Sequence, residues 1–268
     1  MTNERRSFLK NAAGLSAAYT LPALSLAQAA PAQRQFHPRP GAWRIFEVTT
    51  RVDVQQAEGA TSVWLPVPSV DTDWQRSLDS SYASNGAARM SSDAVYGARL
   101  LHVVFAPGEK NPWVELTTRI QTNSRAVNWA AKKPVPEAAA NLRFWTRPTA
   151  LLPTDGIVRK TALEATHGAK TDVDKARAIY NWVVTNTYRE PKVRGCGEGD
   201  IKAMLETGNL GGKCADLNAI FVGMCRAVGL PARDVYGLRL APSAFGYKEL
   251  GGNPASLKGA QHCRAEVY

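Results

Sequence analysis

The stretch from Gly208 to Val228 constrains the fold more than any other part of the chain. A turn rich in glycine, with Gly211 and Gly212 at its end, leads through Lys213 into Cys214. Beyond Cys214, apolar residues recur at helical spacing, at Leu217, Ile220, Phe221, Met224 and Val228. The pattern predicts a buried helix that begins at Cys214 directly after a tight turn.

A thiol in the first turn of a helix is well placed to ionise. The free backbone N–H groups and the positive end of the helix dipole favour the thiolate over the thiol. The same groups can stabilise an oxyanion on an attacked carbonyl, by about 3 to 4 kcal/mol per donor. We therefore predict Cys214 as a nucleophile, with its own N–H as the oxyanion donor. An ordinary buried cysteine is the alternative.

A cysteine nucleophile needs a base, and the chain contains four histidines. His37 lies in a proline-containing tail, His102 in a predicted strand of the N-terminal half, and His167 between predicted helices. His262 opens a predicted strand after the helix, so a sheet can bring it beside the helix N-terminus. We predict His262 as the catalytic base, although the spacing permits this pairing without proving it.

The N-terminal half has the alternating apolar and polar residues that are typical of β-strands. Apolar and polar residues alternate at 46–54, 62–65, 99–106 and 114–122. Four short strands predict a small β-sandwich, which we assign to residues 43–125. Residues 69–97 are rich in Ser, Asp, Asn and Gly, so a long loop is expected there. Residues 126–154 contain four prolines and are interpreted as a linker.

The C-terminal half has a helical period followed by strands. A helix is expected from Thr171 to Tyr188, and a short helix capped by Asp200 should end at Gly208. Strands are predicted at 232–240 and 262–268. The chain is therefore predicted to be α+β.

The pattern of the first thirty residues predicts an export signal. Arg5, Arg6 and Lys10 precede the mostly apolar run 12–26, and cleavage is expected after Ala29. The run is short for a membrane helix, which takes about 20 apolar residues, so an uncleaved anchor is the alternative. The segment from Arg5 to Lys10 resembles a twin-arginine signal, which implies export of the folded protein. Residues 1–29 are thus a signal peptide, and residues 30–42 a tail.

Composition and charge exclude several classes of protein. The 268 residues are 44% hydrophobic and 21% charged, which is typical of a globular protein and not of a disordered one. The net charge is +10, but no run of five basic residues occurs. Nucleic acid is therefore not a predicted partner.

Four cysteines are too few for a fold framed by disulfides. If the Cys214 thiol is the nucleophile it stays free, and the other three cysteines can form at most one bridge. Cys225 is interpreted as core. Cys263 should face away from Cys214 if the neighbouring His262 faces it, so core is expected there too. Cys196 is free, oxidised or bridged. The spacing of Cys196, Cys214, Cys263 and His262 does not indicate zinc, so no metal and no cofactor is predicted.

Three segments, in this order, resemble the bacterial transglutaminase-like superfamily. They are GGKCADL at 211–217, RAVGLPAR at 226–233 and QHCRAEVY at 261–268. The resemblance covers about residues 155–268 and implies a papain-like core, in which the helix bearing the cysteine packs on an antiparallel sheet. It also implies a Cys-His-Asp triad and a thioester intermediate. Cys214 and His262 match that motif.

The resemblance leaves the acid of the triad unassigned. In this family it lies on the strand after the histidine, and the sequence ends six residues beyond His262. We therefore expect domain 155–268 to be truncated at its C-terminus, with weak or absent activity. Asp216 faces away from Cys214, and Asp200 and Asp234 have capping or surface roles available, so none replaces it.

These features predict cysteine-dependent acyl transfer on amide bonds of a peptide or protein. Substrates in the cell envelope are included in this prediction. Hydrolysis is favoured over transglutamination, because an exported enzyme works in water and no amine pocket is indicated. The alternative is a non-catalytic envelope protein that binds peptides or acts as a scaffold. The predicted location is periplasmic or secreted, with membrane contact only through an uncleaved signal. The oligomeric state is not indicated.

Overall fold

The structure is a computed structural model and describes residues 41–124, 136–241, 257 and 259–268. The predicted signal peptide and nearly all of the predicted tail lie outside the described residues. Within the described part of the chain, no helix is both long and apolar enough to cross a membrane.

Six strands form the N-terminal half. They are β1 Arg44–Asp53, β2 Thr61–Val67, β3 Gln75–Ser84, β4 Ala87–Ser92, β5 Arg99–Phe105 and β6 Trp113–Thr122. They make two antiparallel three-stranded sheets, in the orders β1-β6-β3 and β2-β5-β4. The alternation of Val114, Leu116, Thr118 and Ile120 places these four residues on one buried face of β6.

Both sheets contribute to one apolar cluster. Leu65, Leu101, Val103 and Phe105 from one sheet are buried with Val114 and other residues of the second sheet. The shared cluster explains why the four alternating runs are strands. The more specific prediction of a β-sandwich over 43–125 stays a prediction.

The expectation of a long loop at 69–97 is wrong, because β3 and β4 lie within it. Their polar sequences form strands because each pairs along its length with a strand of alternating apolar residues, β6 or β5. Asn85 and Gly86 make the corner between the two sheets. A Cβ on Gly86 would lie 2.6 Å from the Phe105 ring, so this corner requires a glycine.

The second half contains five helices and four strands in the described residues. The helices are α1 Ala139–Phe144, α2 Gly156–Ala165, α3 Asp172–Asn186, α4 Ile201–Thr207 and α5 Cys214–Ala227. The strands are β7 Tyr188–Arg189, β8 Gly211–Gly212, β9 Ala232–Leu238 and β10 Gln261–Val267. β9 and β10 pair antiparallel, and β7 and β8 pair parallel. The class is therefore mixed α and β with antiparallel sheets.

Three helices begin where the sequence predicts them. Thr171 and Asp174 form a reciprocal capping box at the start of α3. The Asp200 carboxylate accepts a hydrogen bond from Ala203 N–H at 3.0 Å and caps α4, which ends at the left-handed Gly208. α5 begins at Cys214 as predicted.

α5 is the central element of this half. Ile220, Val222, Met224 and Cys225 are fully buried, and they pack with residues of α2, α3, α4, β9 and β10. The core role of Cys225 is confirmed, and burial raises the pKa of its thiol to about 12. Because α5 is packed on several sides, its N-terminus, and with it Cys214, has a fixed position.

The stretch expected as a linker is partly helical and partly attached to this core. α1 lies within it, and the Trp145 carbonyl accepts a hydrogen bond from Ala232 N–H at 3.1 Å. The Arg226 guanidinium donates to the Arg147 carbonyl at 3.1 Å. These contacts attach the C-terminal part of the expected linker to α5 and β9. α1 and α2 were not predicted.

Candidate active site

Cys214 is the first residue of α5 and follows the short strand β8. β8 is held by the segment after α3, since Glu190 N–H donates to the Gly212 carbonyl at 2.9 Å. The Cys214 side chain is half-buried. The predicted position of this thiol, at a helix start and within reach of solvent, is what the structure shows.

The two glycines before Cys214 are required by close packing. A Cβ on Gly211 would lie 2.6 Å from the Tyr188 ring, and a Cβ on Gly212 would lie 2.5 Å from the Asp216 Cβ. Neither glycine has a positive φ. The space that they leave is therefore filled by Tyr188 and Asp216.

Asp216 connects the start of α5 to the loop around Cys196. The carboxylate is 6% exposed and accepts hydrogen bonds from Gly199 N–H at 2.8 Å and Lys213 N–H at 2.9 Å. Ala215 N–H adds a hydrogen bond to the Cys196 carbonyl at 2.9 Å. The sequence analysis missed Asp216 as an acceptor for main-chain N–H groups. An acidic residue three positions after a helix N-cap is a sequence signal for such an acceptor.

Three thiols meet at the start of α5. The Cys263 thiol donates a hydrogen bond to the Cys214 sulfur at 3.5 Å. The sulfur atoms of Cys196, Cys214 and Cys263 all lie within 4.8 Å of one another. The expectation that Cys263 faces away from Cys214 is therefore wrong. Cys196, whose state the sequence left open, is a free thiol in this cluster.

Asn218 explains which face of β10 meets α5. Its side-chain amide donates to the Cys214 carbonyl at 2.7 Å and to the Cys263 carbonyl at 3.2 Å. Ala265, two residues after Cys263, packs against the core cluster around α5. Successive side chains of a strand point to opposite faces, so Cys263 and Ala265 face α5 together.

His262 belongs to the other face of β10. It pairs with Gly237, whereas Cys263 pairs with Tyr236. The imidazole Nε2 is buried and has no hydrogen-bond partner among the residues that the structure describes. The structure thus brings Cys263 into contact with Cys214. The catalytic role of His262 stays a prediction.

The thiols influence one another's ionisation. Burial raises the pKa of the Cys214 thiol, but hydrogen bonds from Cys263 and Cys196 lower it, and the net pKa lies below the ordinary value. Burial and the hydrogen bond to Cys214 raise the pKa of Cys263 and of Cys196. Negative charge in the cluster therefore concentrates on Cys214.

Asp234 is a second feature that sequence reasoning missed. Burial raises the pKa of its carboxyl to about 6, against the opposing attraction of Arg226. Its Oδ1 is buried without a hydrogen-bond partner in the described part of the chain. Asp234 pairs with Ala265, so it shares the face of Cys263. Tyr236 pairs with Cys263 and lies on the same face.

Comparisons with known proteins agree with this architecture. An uncharacterized protein of Haemophilus influenzae strain Rd is 30% identical over 243 residues, which are 84% of this chain. The chain spans 65% of the length of that relative. The crystal structure of a candidate cysteine protease from Cytophaga hutchinsonii superposes with a TM-score of 0.63 and 18% identity, over 87% of this chain and 75% of that chain. This second similarity concerns the fold.

The family model covers the part of the chain that contains all three cysteines of the cluster. Residues 159–268 match the model of the Transglutaminase-like superfamily, and they include α5, β9 and β10. This part of the chain is therefore similar to the Transglutaminase-like superfamily.

Proposed function

We propose that the protein transfers acyl groups through Cys214. The Cys214 sulfur attacks the carbonyl carbon of an amide in a peptide or protein, forms a thioester and releases the amine with a proton. Water then cleaves the thioester and regenerates the thiol. The observation that carries the proposal is the half-buried Cys214 thiol at the N-terminus of a buried helix, within a region similar to the Transglutaminase-like superfamily.

The surroundings of Cys214 support charge development at this point. The N-terminus of a 14-residue helix favours negative charge on the sulfur and on an oxyanion next to it. The Ala215 N–H is already bonded to the Cys196 carbonyl. The Cys214 N–H is therefore the oxyanion donor in this proposal.

His262 acts in the proposal as the group that takes and returns the proton. For this role the imidazole has to reach the Cys214 sulfur, and His262 is the neighbour in β10 of Cys263, whose thiol touches that sulfur. The acid of the triad is not assigned.

Hydrolysis is preferred over transfer to an amine. The protein is proposed to be exported to the periplasm or beyond, where water is the abundant acceptor for the acyl group. We also propose that its substrates are peptides or proteins of the cell envelope. Both statements depend on the sequence of residues 1–29.

A single-turnover acylation experiment tests the nucleophile. Reduced, chelator-treated protein is mixed with p-nitrophenyl acetate, and acetylated peptides are quantified by mass spectrometry. We expect rapid acetylation of Cys214 in the wild type and in Cys225→Ala, which removes a buried thiol outside the cluster. Acetylation of Cys214 no faster than that of an unfolded peptide of the same sequence would favour the non-catalytic envelope protein.

Two variants test the proton carrier. If His262 serves Cys214, His262→Ala should slow both acetylation and the hydrolysis of the thioester, whereas Cys263→Ala should leave thioester hydrolysis in place. Unchanged rates in His262→Ala would remove His262 from the proposal. With a peptide amide as substrate and methylamine in the buffer, the product masses distinguish a carboxylic acid from an N-methyl amide.

A further inference from the structure

We infer that Cys196, Cys214 and Cys263 form a three-thiolate binding site for a soft closed-shell metal cation of the Zn²⁺ or Cu⁺ class. Acyl transfer uses one sulfur atom, so it does not account for three thiols at one point. The cysteines come from three separate segments, the loop before α4, the first turn of α5, and β10. Thiolate sulfur is the ligand that such cations prefer.

The distances suit a metal ion. Zinc binds thiolate sulfur at about 2.3 Å, so two sulfurs at a tetrahedral zinc lie about 3.8 Å apart. The sulfurs of Cys214 and Cys263 are 3.5 Å apart, and no pair in the cluster exceeds 4.8 Å. Side-chain rotations that change these separations by no more than about 1 Å reach the required spacing.

The main chain at each of the three cysteines is already held in place. Ala215 N–H binds the Cys196 carbonyl, and the Asn218 amide binds the carbonyls of both Cys214 and Cys263. All of these donors belong to the first two turns of α5. A cation therefore meets ligands that are assembled before it binds, which reduces the entropic cost of binding.

The charges nearby also suit thiolate ligands. The α5 N-terminus places positive potential at the cluster. Among the described residues, no fourth His, Cys, Asp or Glu side chain joins the group. The site therefore presents three protein ligands, and a fourth position is left to water or an external ligand.

Metal binding at this site has a consequence for Cys214. A sulfur atom that is bound to a cation is not free to attack a carbonyl, so occupancy should block acyl transfer. This consequence rests on the proposed function, whereas binding of the cation does not.

Cadmium titration tests the site directly. Reduced, metal-free protein is titrated with Cd²⁺, and the ultraviolet charge-transfer band from thiolate to cadmium is recorded. We expect saturation at one equivalent, and loss of about one third of the band in Cys196→Ser and in Cys263→Ser, because the band scales with the number of thiolates. Cys225→Ala is the matched control and should keep the full band.

Asn218→Ala keeps all three thiols but removes the side-chain donor that the main-chain carbonyls of Cys214 and Cys263 share. It should show the full band at saturation with weaker affinity, measured by competition with a chromophoric chelator. Circular dichroism of every variant verifies folding. A wild-type band that is unchanged in both Cys196→Ser and Cys263→Ser, or a band equally reduced in Cys225→Ala, would overturn the inference.

Parallel arms with Zn²⁺ and Cu⁺, each competed against its own chelator, identify which cation the site prefers. Failure of this inference is distinguishable from failure of the proposed function. A cadmium band without acetylation of Cys214 retains the metal site and rejects acyl transfer. If Cys214 of the chelator-treated protein is acetylated but cadmium gives no band, acyl transfer is retained and the metal site is rejected.

Discussion

At the scale of single residues, Asp216 has the largest structural role near the site. Its buried carboxylate is the acceptor for two main-chain N–H groups, those of Gly199 and Lys213. Without it, both donors lose their partner inside the protein, and each hydrogen bond to a charged group is worth about 1.5 to 3 kcal/mol.

We therefore expect Asp216→Ala to lower the free energy of unfolding by about 3 to 5 kcal/mol, measured by urea denaturation. Asp216→Asn keeps one carbonyl acceptor and should lose roughly half as much. Asp200→Ala, which removes the exposed cap of α4, is the control and should lose about 1 kcal/mol. Equal losses in Asp216→Ala and Asp200→Ala would contradict this role.

Asp234 predicts a pH dependence of stability. Burial raises the pKa of its carboxyl to about 6 in the folded protein, above the ordinary value of 3.8. The charged or titratable groups that act on it are Arg226 from α5, and Tyr236 and Cys263 from the two strands. Its contribution to stability is thus fully present below pH 3.8 and lost as the pH rises through about 6.

Asp234→Asn cannot ionise and should avoid this loss. Its free energy of unfolding should exceed that of the wild type at about pH 7.5, and the difference should shrink as the pH falls through the window between the two pKa values. Urea unfolding at several pH values measures it. Asp71→Asn alters an exposed carboxylate and should show no such trend. A pH-independent difference in Asp234→Asn would show that the carboxyl does not titrate in this window.

At the scale of elements, the two glycines of β8 allow this strand to pack closely against the start of α5. Its glycines touch Tyr188 and Asp216, and a methyl group on Gly212 would overlap the Asp216 side chain. Overpacking of this kind typically costs about 1 to 3 kcal/mol.

Gly212→Ala should therefore lower the thermal unfolding midpoint, measured by differential scanning calorimetry. Gly237→Ala is its counterpart in β9, where the added methyl group meets nothing within 4 Å. That variant should be neutral or slightly more stable, since alanine reduces the freedom of the unfolded chain. A lower midpoint in Gly237→Ala than in Gly212→Ala would contradict the packing argument.

The strands show where local pattern stops being informative. The alternation in β10 was enough to predict a strand, and Cys263, Ala265 and Val267 form its more apolar face. Placing His262 towards Cys214 went against that pattern. The hydrogen bonds from Asn218 and the packing of Ala265 select the face of Cys263. β3 and β4 had too little apolar alternation to be predicted, and pairing with β6 and β5 makes them strands.

At the scale of the whole molecule, the N-terminal segment predicts where the protein acts. Residues 1–29 lie outside the described residues, so the prediction rests on sequence. In a bacterial host with a twin-arginine pathway, the exported protein should begin at Ala30, which N-terminal sequencing of the periplasmic fraction measures.

Joint substitution of Arg5→Lys and Arg6→Lys should keep the protein in the cytoplasm. Arg34→Lys, which conserves charge in the predicted tail, is the control and should be exported normally. Recovery of a chain that begins at Met1 from the membrane fraction would instead establish the uncleaved anchor.

The sequence alone determined the features that depend on neighbours within a few residues. Caps and periodicity predicted α3, α4 and α5, and the glycine turn placed Cys214 at a helix start, because these signals act within one or two helical turns. The order of three short segments predicted the transglutaminase-like domain.

Tertiary structure decided what depends on contacts between distant segments. The meeting of Cys196, Cys214 and Cys263 and the buried contacts of Asp216 are set by how the loop before α4 and strand β10 pack on α5. Those contacts join residues up to 67 positions apart, the separation of Cys196 and Cys263 in the sequence. The local pattern indicates which face of β10 is buried, since Cys263, Ala265 and Val267 share it, but it does not record which distant residues that face meets.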